Sequence, residues 1–501
     1  MKVLTSDEIR ALDQYTIVNE PVLSIDLMER AAKGIKRWLE QNINMDLAFH
    51  LFCGTGNNGG DGLALARLLK KDGINVHVHL VNLSKNMSLD ASTNEKKLEG
   101  LVRINHIITE VDFPEINEGA VVIDCLFGSG LNRSISGIAE DIIHFINALQ
   151  HPVISVDVPS GLFCNHPNPE GIIVEADITL SFQLPKLSFL VPENEDYIGQ
   201  WTVLDIGLSP EGLEQAQSTY NYILPNEVAQ IPQPPSKFAH KGNNGHALLL
   251  AGSKGKPGAG ILAAKAALRS GVGLVTAVIP SCNYSIFHTA IPEAMSFVSG
   301  EIGIESHPEL DNFHAIAIGP GIGLSEQSVQ VLASLLERVK QPLILDADAI
   351  TLLSIQKDLI DKLPRNTILT PHIGEFDRLV GPSANSFERL EKLLDFSINH
   401  QCLVVLKGAH SAIATPDGQV YFNSTGNPGL ATAGTGDTLT GVLLSLIAQG
   451  YHPLDASILG VYWHGAAGDL ALEEECYESL LASDIIKNLG KSFKSIVNPG
   501  S

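Results

Sequence analysis

The stretch Gly426-Asn427-Pro428-Gly429-Leu430-Ala431-Thr432-Ala433-Gly434-Thr435-Gly436-Asp437 sets four glycines ahead of one carboxylate. N–H groups at the start of a helix lack intrahelical partners, and small side chains let an anion approach them. The helix dipole adds to that attraction. A carboxylate in such a nest repels a phosphate, so its use there is to take a proton from a hydroxyl beside the phosphate. A tight loop with an Asp in the first helical turn is the plainer reading of the same residues. On the functional reading Asp437 is the base, and the Gly434 and Gly436 amides meet the anion.

A second group lies in the first half of the chain. Gly54, Gly56 and Gly59 spell G-x-G-x-x-G, a weak dinucleotide signal taken alone. The run Asn57-Asn58-Gly59-Gly60-Asp61 carries more side-chain oxygens than a pyrophosphate turn needs, which points to a cation or polyol as well. Two apolar runs, 121–123 and 153–156, stop at Asp124 and Asp157. Asp at a strand end often only caps a loop, but two of them beside glycine loops mark a site. In the second half Asp346, His372 and Lys407 occupy the same kind of position. A lone His is commonly structural and a lone Lys commonly a surface residue. At a strand end His372 suits ligand contact and Lys407 suits phosphate.

These residues need elements that bring them to one edge. Leu439, Val442, Leu443, Leu446 and Ile447 follow at i, i+3, i+4, i+7 and i+8, one helical face after Asp437, with Gly450 as its C-cap. The strand 48–53, the glycine turn, a helix to residue 71 and the strand 76–81 form a parallel crossover unit. Strands are also expected at 247–251, 273–279, 315–319, 343–346, 367–370 and 402–406. The fold class is therefore α/β, a Rossmann-like three-layer domain followed by a second α/β domain. In open parallel sheets ligands sit beyond the carboxyl ends of the strands, where the polar residues gather. Domain boundaries are expected at 1–222 and 241–501. Residues 223–240, with four prolines and no apolar period, read as the linker.

The chain has 501 residues, 44% hydrophobic and 18% charged, ample for two cores. A formal charge of −23 argues against nucleic-acid or anionic-membrane partners. Six cysteines without C-x-x-C spacing read as reduced thiols, and Thr5-Ser6-Asp7-Glu8 reads as a capping box rather than a leader. No apolar run reaches transmembrane length. A cytoplasmic location is expected.

The ordered blocks resemble the family of bifunctional NAD(P)H-hydrate repair enzymes, in which an NAD(P)HX epimerase precedes an ADP/ATP-dependent dehydratase of ribokinase-like fold. The first half carries the likeness in 54–62, Phe127–Arg133 and Val156–Gly161. The second carries it in Pro257-Gly258-Ala259, Gly319–Gly323, Asp346-Ala347-Asp348, Thr370–Phe376, Lys407-Gly408 and Gly426–Asp437. The resemblance implies that Asn57, Asn58, Gly59, Gly60, Asp61, Gly128, Ser129, Gly130, Leu131, Asn132, Arg133, Ser134 and Asp157 contact the hydrated cofactor in the epimerase, with Asp157 as acid/base. It implies potassium held by Asn58, Asp124 and Ser160 with backbone carbonyls. In the dehydratase it implies NAD(P)HX contact by Ala259, Gly260, Gly323, His372 and Asp437. ADP or ATP, with Mg2+, falls to Lys407, Gly408, Ala409, His410, Ser411, Gly434 and Gly436. A homo-oligomer, tetramer or larger, is also expected. The competing readings are a ribokinase-like small-molecule kinase fused to a nucleotide-binding domain, and a non-catalytic first half.

Overall fold

The computed structural model describes residues 1–84, 86–168, 171–234 and 236–498. The chain divides into two compact units, Lys2–Ser218 and Thr219–Ser501, the latter with Met1.

In the N-terminal unit seven parallel strands run in the order Ile104–Ile107, Val76–Val81, Phe49–Cys53, Val121–Cys125, Val153–Val156, Ile178–Phe182, Gln200–Leu204. The central strands are buried along their whole length because helices cover both faces. Ile35 and Leu39 of Ser24–Asn42 pack with Leu63, Leu65 and Ala66 of Asn57–Lys71 in one core. Ile142, Ile143 and Ile146 of Ile138–Ala148 belong to a second core with Phe52 and Val122. The order reverses between Phe49–Cys53 and Val121–Cys125, so the loops leaving these strands diverge and open a crevice. The run expected as a glycine loop to residue 62 turns helical at Asn57. Its glycines serve close packing: a Cβ on Gly59 would lie 1.8 Å from the Gly54 carbonyl oxygen. The capping box is formed, with Thr5 Oγ1 accepting from the Glu8 N–H and the Glu8 carboxylate accepting from the Thr5 N–H.

In the C-terminal unit Met295–Val298, Leu274–Ile279, His246–Leu250, Ala315–Ile318, Leu343–Leu345, Ile368–Leu369 and Leu403–Leu406 are parallel in that order. Ala412–Ala414 and Val420–Phe422 continue it antiparallel. All six strands expected here are present to within a residue or two. The helix Thr435–Ala448 differs from its expectation, since every residue from Thr438 to Ala448 is buried, not one face. Gly441 explains this: a Cβ there would meet the Ala263 carbonyl at 2.1 Å, so the helix Pro257–Arg269 lies directly against it. Gly450 does follow the last turn in the left-handed region, donating to Ile447 O at 3.0 Å.

The boundary expected after residue 222 falls after Ser218. Tyr220–Tyr222 pairs in parallel with Val420–Phe422, which ties it to the C-terminal sheet. Nor is 223–240 a free linker: Pro225–Val228 forms one helical turn, and Ile223 and Val228 enter the C-terminal core. Prolines there suppress periodicity without releasing the segment, and residue 235 lies outside the described residues. All six cysteines are free thiols, Cys53, Cys125, Cys164 and Cys402 buried and Cys282 and Cys476 exposed.

Candidate active sites

At the carboxyl edge of the N-terminal sheet a cavity of about 640 Å³ opens in the crevice. Asn57, Asn58, Asp61, the loop Gly128–Arg133 and Asp157 line it. Of the residues expected to contact ligand, Gly59 and Gly60 are buried away from the wall and Ser134 is exposed beyond it. Asp157 has φ 65°, an uncommon backbone for a residue other than glycine. Its Oδ2 accepts from the Ser129 N–H at 2.9 Å, and its Oδ1 lies 3.2 Å from Lys186 Nζ. Burial alone would raise the Asp157 pKa, but the Lys186 ammonium and the Ser129 N–H prevail and hold it below the usual value. Lys186 is wholly buried and also donates to Ser181 Oγ at 3.0 Å and Leu184 O at 3.1 Å. Asp61, buried in the same wall, is pushed well up by burial and then by the Asp157 charge.

Asp124 is off the wall and fully satisfied. Its Oδ1 accepts from Ser160 Oγ at 2.6 Å and the Leu126 N–H at 3.1 Å, and its Oδ2 from Ser155 Oγ and the Ser160 N–H, both at 2.8 Å. Ser160 Oγ accepts in turn from the Phe127 N–H at 2.8 Å. The carboxylate thus fastens the two strand-end loops to each other. Asn58 donates from Nδ2 to Phe127 O at 2.8 Å and Val156 O at 3.2 Å, while its buried Oδ1 has no partner among the described residues.

In the C-terminal unit the organiser is Asp346, 1% exposed. Its Oδ1 accepts from Lys407 Nζ at 3.0 Å and Thr370 Oγ1 at 2.8 Å, and its Oδ2 from Thr440 Oγ1 at 2.8 Å. Thr440 stands one turn beyond Asp437 on the same helix, so this bond sets the helix against the sheet edge. Ala347 has φ 48°, a strained junction that lets Asp346 and Asp348 serve different partners. Asp348 Oδ2 accepts from the Gly323 N–H at 2.8 Å and Lys256 Nζ at 3.1 Å. Burial first, then the Asp346 charge, raises the Asp437 pKa to about 7, with Lys407 opposing. Gly434 caps the helix at φ 91°, and a Cβ on Gly436 would come 3.3 Å from Lys407 Nζ. Lys407 also lies 4.0 Å from Glu375, the residue that closes a capping box with His372.

His372, Lys407, Gly323, Asp437 and Ala259 stand on loops or helix starts at one edge. Gly260 is buried against Ala251, where a Cβ would lie 3.4 Å from the strand residue. In the 407–411 loop Gly408 and Ala409 are exposed and Ser411 Oγ closes the turn on Gly408 O at 3.1 Å. The His410 ring instead turns inward, with Nδ1 3.1 Å from Asn423 O. The sequence did not single out Lys186 and Asp13, which line the first cavity, or Thr440 and Glu375, which meet Asp346 and Lys407 in the second site. Lys186 offered only a lysine after a strand end, and Thr440 only its spacing from Asp437.

A family model described as NAD(P)H-hydrate dehydratase matches residues 247–491, and one described as YjeF-related protein N-terminus matches 24–188. The bifunctional NAD(P)H-hydrate repair enzyme of Moorella thermoacetica is 35% identical over 529 residues, covering 100% of this chain and 99% of that one. The chain belongs to that family. The repair enzyme of Thermofilum pendens is 34% identical across 99% of this chain and 97% of its own. A ribokinase-like superfamily protein from Enterococcus faecalis V583 matches in structure at TM-score 0.50 and 29% identity, over 56% of this chain and 98% of that one. The C-terminal half of this repair enzyme is therefore ribokinase-like. With repair enzymes matching from end to end, the reading as a small-molecule kinase is not favoured.

Proposed function

We propose that the two units share one repair: the first interconverts the R and S forms of NAD(P)HX, and the second dehydrates the S form to NAD(P)H using ADP or ATP. The observation that carries this is the junction of Asp437, Lys407 and the glycine-led helix start, a base beside an anion cradle. Hydrated NADH bears a hydroxyl on C6, and hydroxide leaves poorly. Asp437 takes the proton of that hydroxyl while its oxygen receives a phosphoryl group. The Gly434–Gly436 amides and Lys407 stabilise charge on the group in transfer. Phosphate then departs with the C6–O bond, a proton leaves C5, and the 5,6 double bond returns. Ala259, Gly323 and His372 line the cofactor side, and the exposed Gly408-Ala409 backbone takes the nucleotide. Mg2+ would come bound to the nucleotide phosphates and offset their charge, the usual mode for a cation that needs few protein ligands.

Potassium fits the first site. Asn58 Oδ1 is a buried oxygen without a partner among the described residues, and the Phe127 and Val156 carbonyls adjoin the same side chain. Hard oxygen donors of this kind suit such a cation. Asn58, Ser160 and neighbouring carbonyls would hold it, with Asp124 contributing charge. The ion supplies fixed positive charge for the anionic substrate. Asp157, kept ionised by Lys186, is the acid/base residue that acts at C6.

Among the described residues no helix is long and apolar enough to cross a membrane, and free thiols support a cytoplasmic setting. Exposed Met295, Phe297 and Val298 on the sheet's end strand support a homo-oligomer, tetramer or larger. The test is a mixture of R and S NADHX given ADP or ATP, with and without potassium. Recovery of reduced dihydropyridine absorbance from both forms is expected; none with either nucleotide would end this reading.

A further inference from the structure

The helix Ser6–Asn19 precedes residue 24, where the N-terminal family model begins to match, yet one of its faces forms a wall of the first cavity. Ser6, Ile9, Arg10 and Asp13 line it at i, i+3, i+4 and i+7, a single helical stripe. Hydrogen bonds fasten this helix near both ends, the first of them to a residue of the site. Ser6 Oγ donates to Ser129 O at 2.6 Å, and Ser129 is the residue whose N–H binds Asp157. Further along, Thr16 Oγ1 accepts from the Ser209 N–H at 3.0 Å. Asp13 thus lines the cavity from a helix, whereas Asp157 lines it from the loop after Val153–Val156.

We infer that Asp13 is the second acid–base residue of the epimerase, the partner of Asp157 across the cavity. This rests on the epimerase reading above. Two carboxylates lining one cavity, one of them paired with a buried ammonium, can divide acid and base roles. Asp157 has Lys186 and the Ser129 N–H to keep it ionised. Among the described residues Asp13 has no such pairing, and burial and then the Asp157 charge raise it to about 6, with Lys186 opposing. Asp61, in the same wall, is also pushed up, by burial first and then by the Asp157 and Asp13 charges.

The step balances as follows. In one direction Asp13 gives its proton to the C6 hydroxyl, the C6–O bond breaks, and water departs as the N1 lone pair forms the C6=N1 bond. Water then adds to the opposite face of C6, the π pair returns to N1, and Asp157 takes the proton released. The reverse epimerisation exchanges the roles, and solvent restores the starting protonation.

The experiment follows both epimers by chromatography with purified full-length wild type, Asp13→Asn and Asp13→Glu from pH 5 to 9. Dehydration of S-NADHX by the same preparations monitors integrity. The expected result for Asp13→Asn is epimerisation slowed ~100-fold or more, the scale of one acid–base group, with dehydration unchanged. Its pH profile loses the limb that wild type shows near pH 6, and Asp13→Glu recovers part of both. Epimerisation within threefold of wild type, or a slowed rate that keeps that limb, would overturn the assignment. Wild type that never interconverts the epimers would instead refute the epimerase reading itself.

Discussion

Asp437, the base proposed for the dehydration, sits where its surroundings resist ionisation. Its pKa of about 7 lies far above the ordinary 3.8 because burial and the Asp346 charge outweigh Lys407. Dehydration measured as kcat/KM should accordingly rise with pH through about 7 as the carboxylate forms. Asp437→Asn is expected to slow it by at least ~100-fold while leaving epimerisation in place. The same shift has a consequence for stability. A carboxyl raised in the folded state contributes stability that is full below its unfolded pKa, near 3.8, and lost as pH rises through about 7. Asp437→Asn should therefore raise the unfolding temperature more at pH 8 than at pH 4, as read by calorimetry. Lys186 presents the opposite situation, a buried ammonium fully engaged by Asp157, Ser181 and Leu184. Removing one partner of such a pair costs about 3–5 kcal/mol. Lys186→Met should lower the midpoint of denaturant unfolding, and adding Asp157→Asn should restore part of it. Additive losses in that double mutant would show that the two do not act as a pair.

At the scale of elements, the strands Phe49–Cys53 and Val76–Val81 put an unusual stack on one face of the N-terminal sheet. His50 and His77 rings lie 4.4 Å apart, His50 Nδ1 is 3.0 Å from His79 Nε2, and His79 stacks on Phe52 at 4.7 Å. Burial first, then neighbouring histidines, lowers His50 to about 4 and His79 to about 3. The native state therefore holds them neutral. The stability they contribute is present above the unfolded value of 6.5 and lost as pH falls towards 4 and 3. His79→Phe should flatten the acid limb of the stability curve between pH 6.5 and 4, monitored by tryptophan emission. An unchanged limb would remove the stack as its source. The helix Thr435–Ala448 depends on its first residue in another way. Gly434 lies at φ 91°, and a Cβ there would come within 2.5 Å of Leu262 Cδ1. Gly434→Ala adds ~1 kcal/mol or more of backbone strain and tilts the amides proposed to face the anion. Its expected mark is a raised KM for the nucleotide, with epimerisation untouched.

For the whole molecule the division into two compact units, each with its own sheet and site, makes the activities separable by mutation. An Asp157→Ala chain should repair S-NADHX and leave R-NADHX to spontaneous epimerisation. Mixed with an Asp437→Asn chain, it should again repair both forms, because each site is complete within its own unit. Failure of that mixture, with each single mutant retaining its other activity, would mean that the two reactions need one chain.

Much of this was legible from residues alone. The glycine blocks, the strand-end carboxylates and their order determine the family, and the alternation of apolar runs and turns determines two sheets of mainly parallel strands with polar groups at their carboxyl edges. Such signals are local: a chain carries its own periodicity and its own turn residues. The sequence could not show that Asp13, Lys186 and Asp157 share a cavity, or that Asp346 joins Thr370, Lys407 and Thr440. It did not show that the helix after Asp437 is buried all round, nor that Tyr220–Tyr222 belongs to the second sheet. These are decided by tertiary structure, because desolvation and charge coupling depend on distance through space, and residues 13, 157 and 186 become neighbours only when the chain is folded.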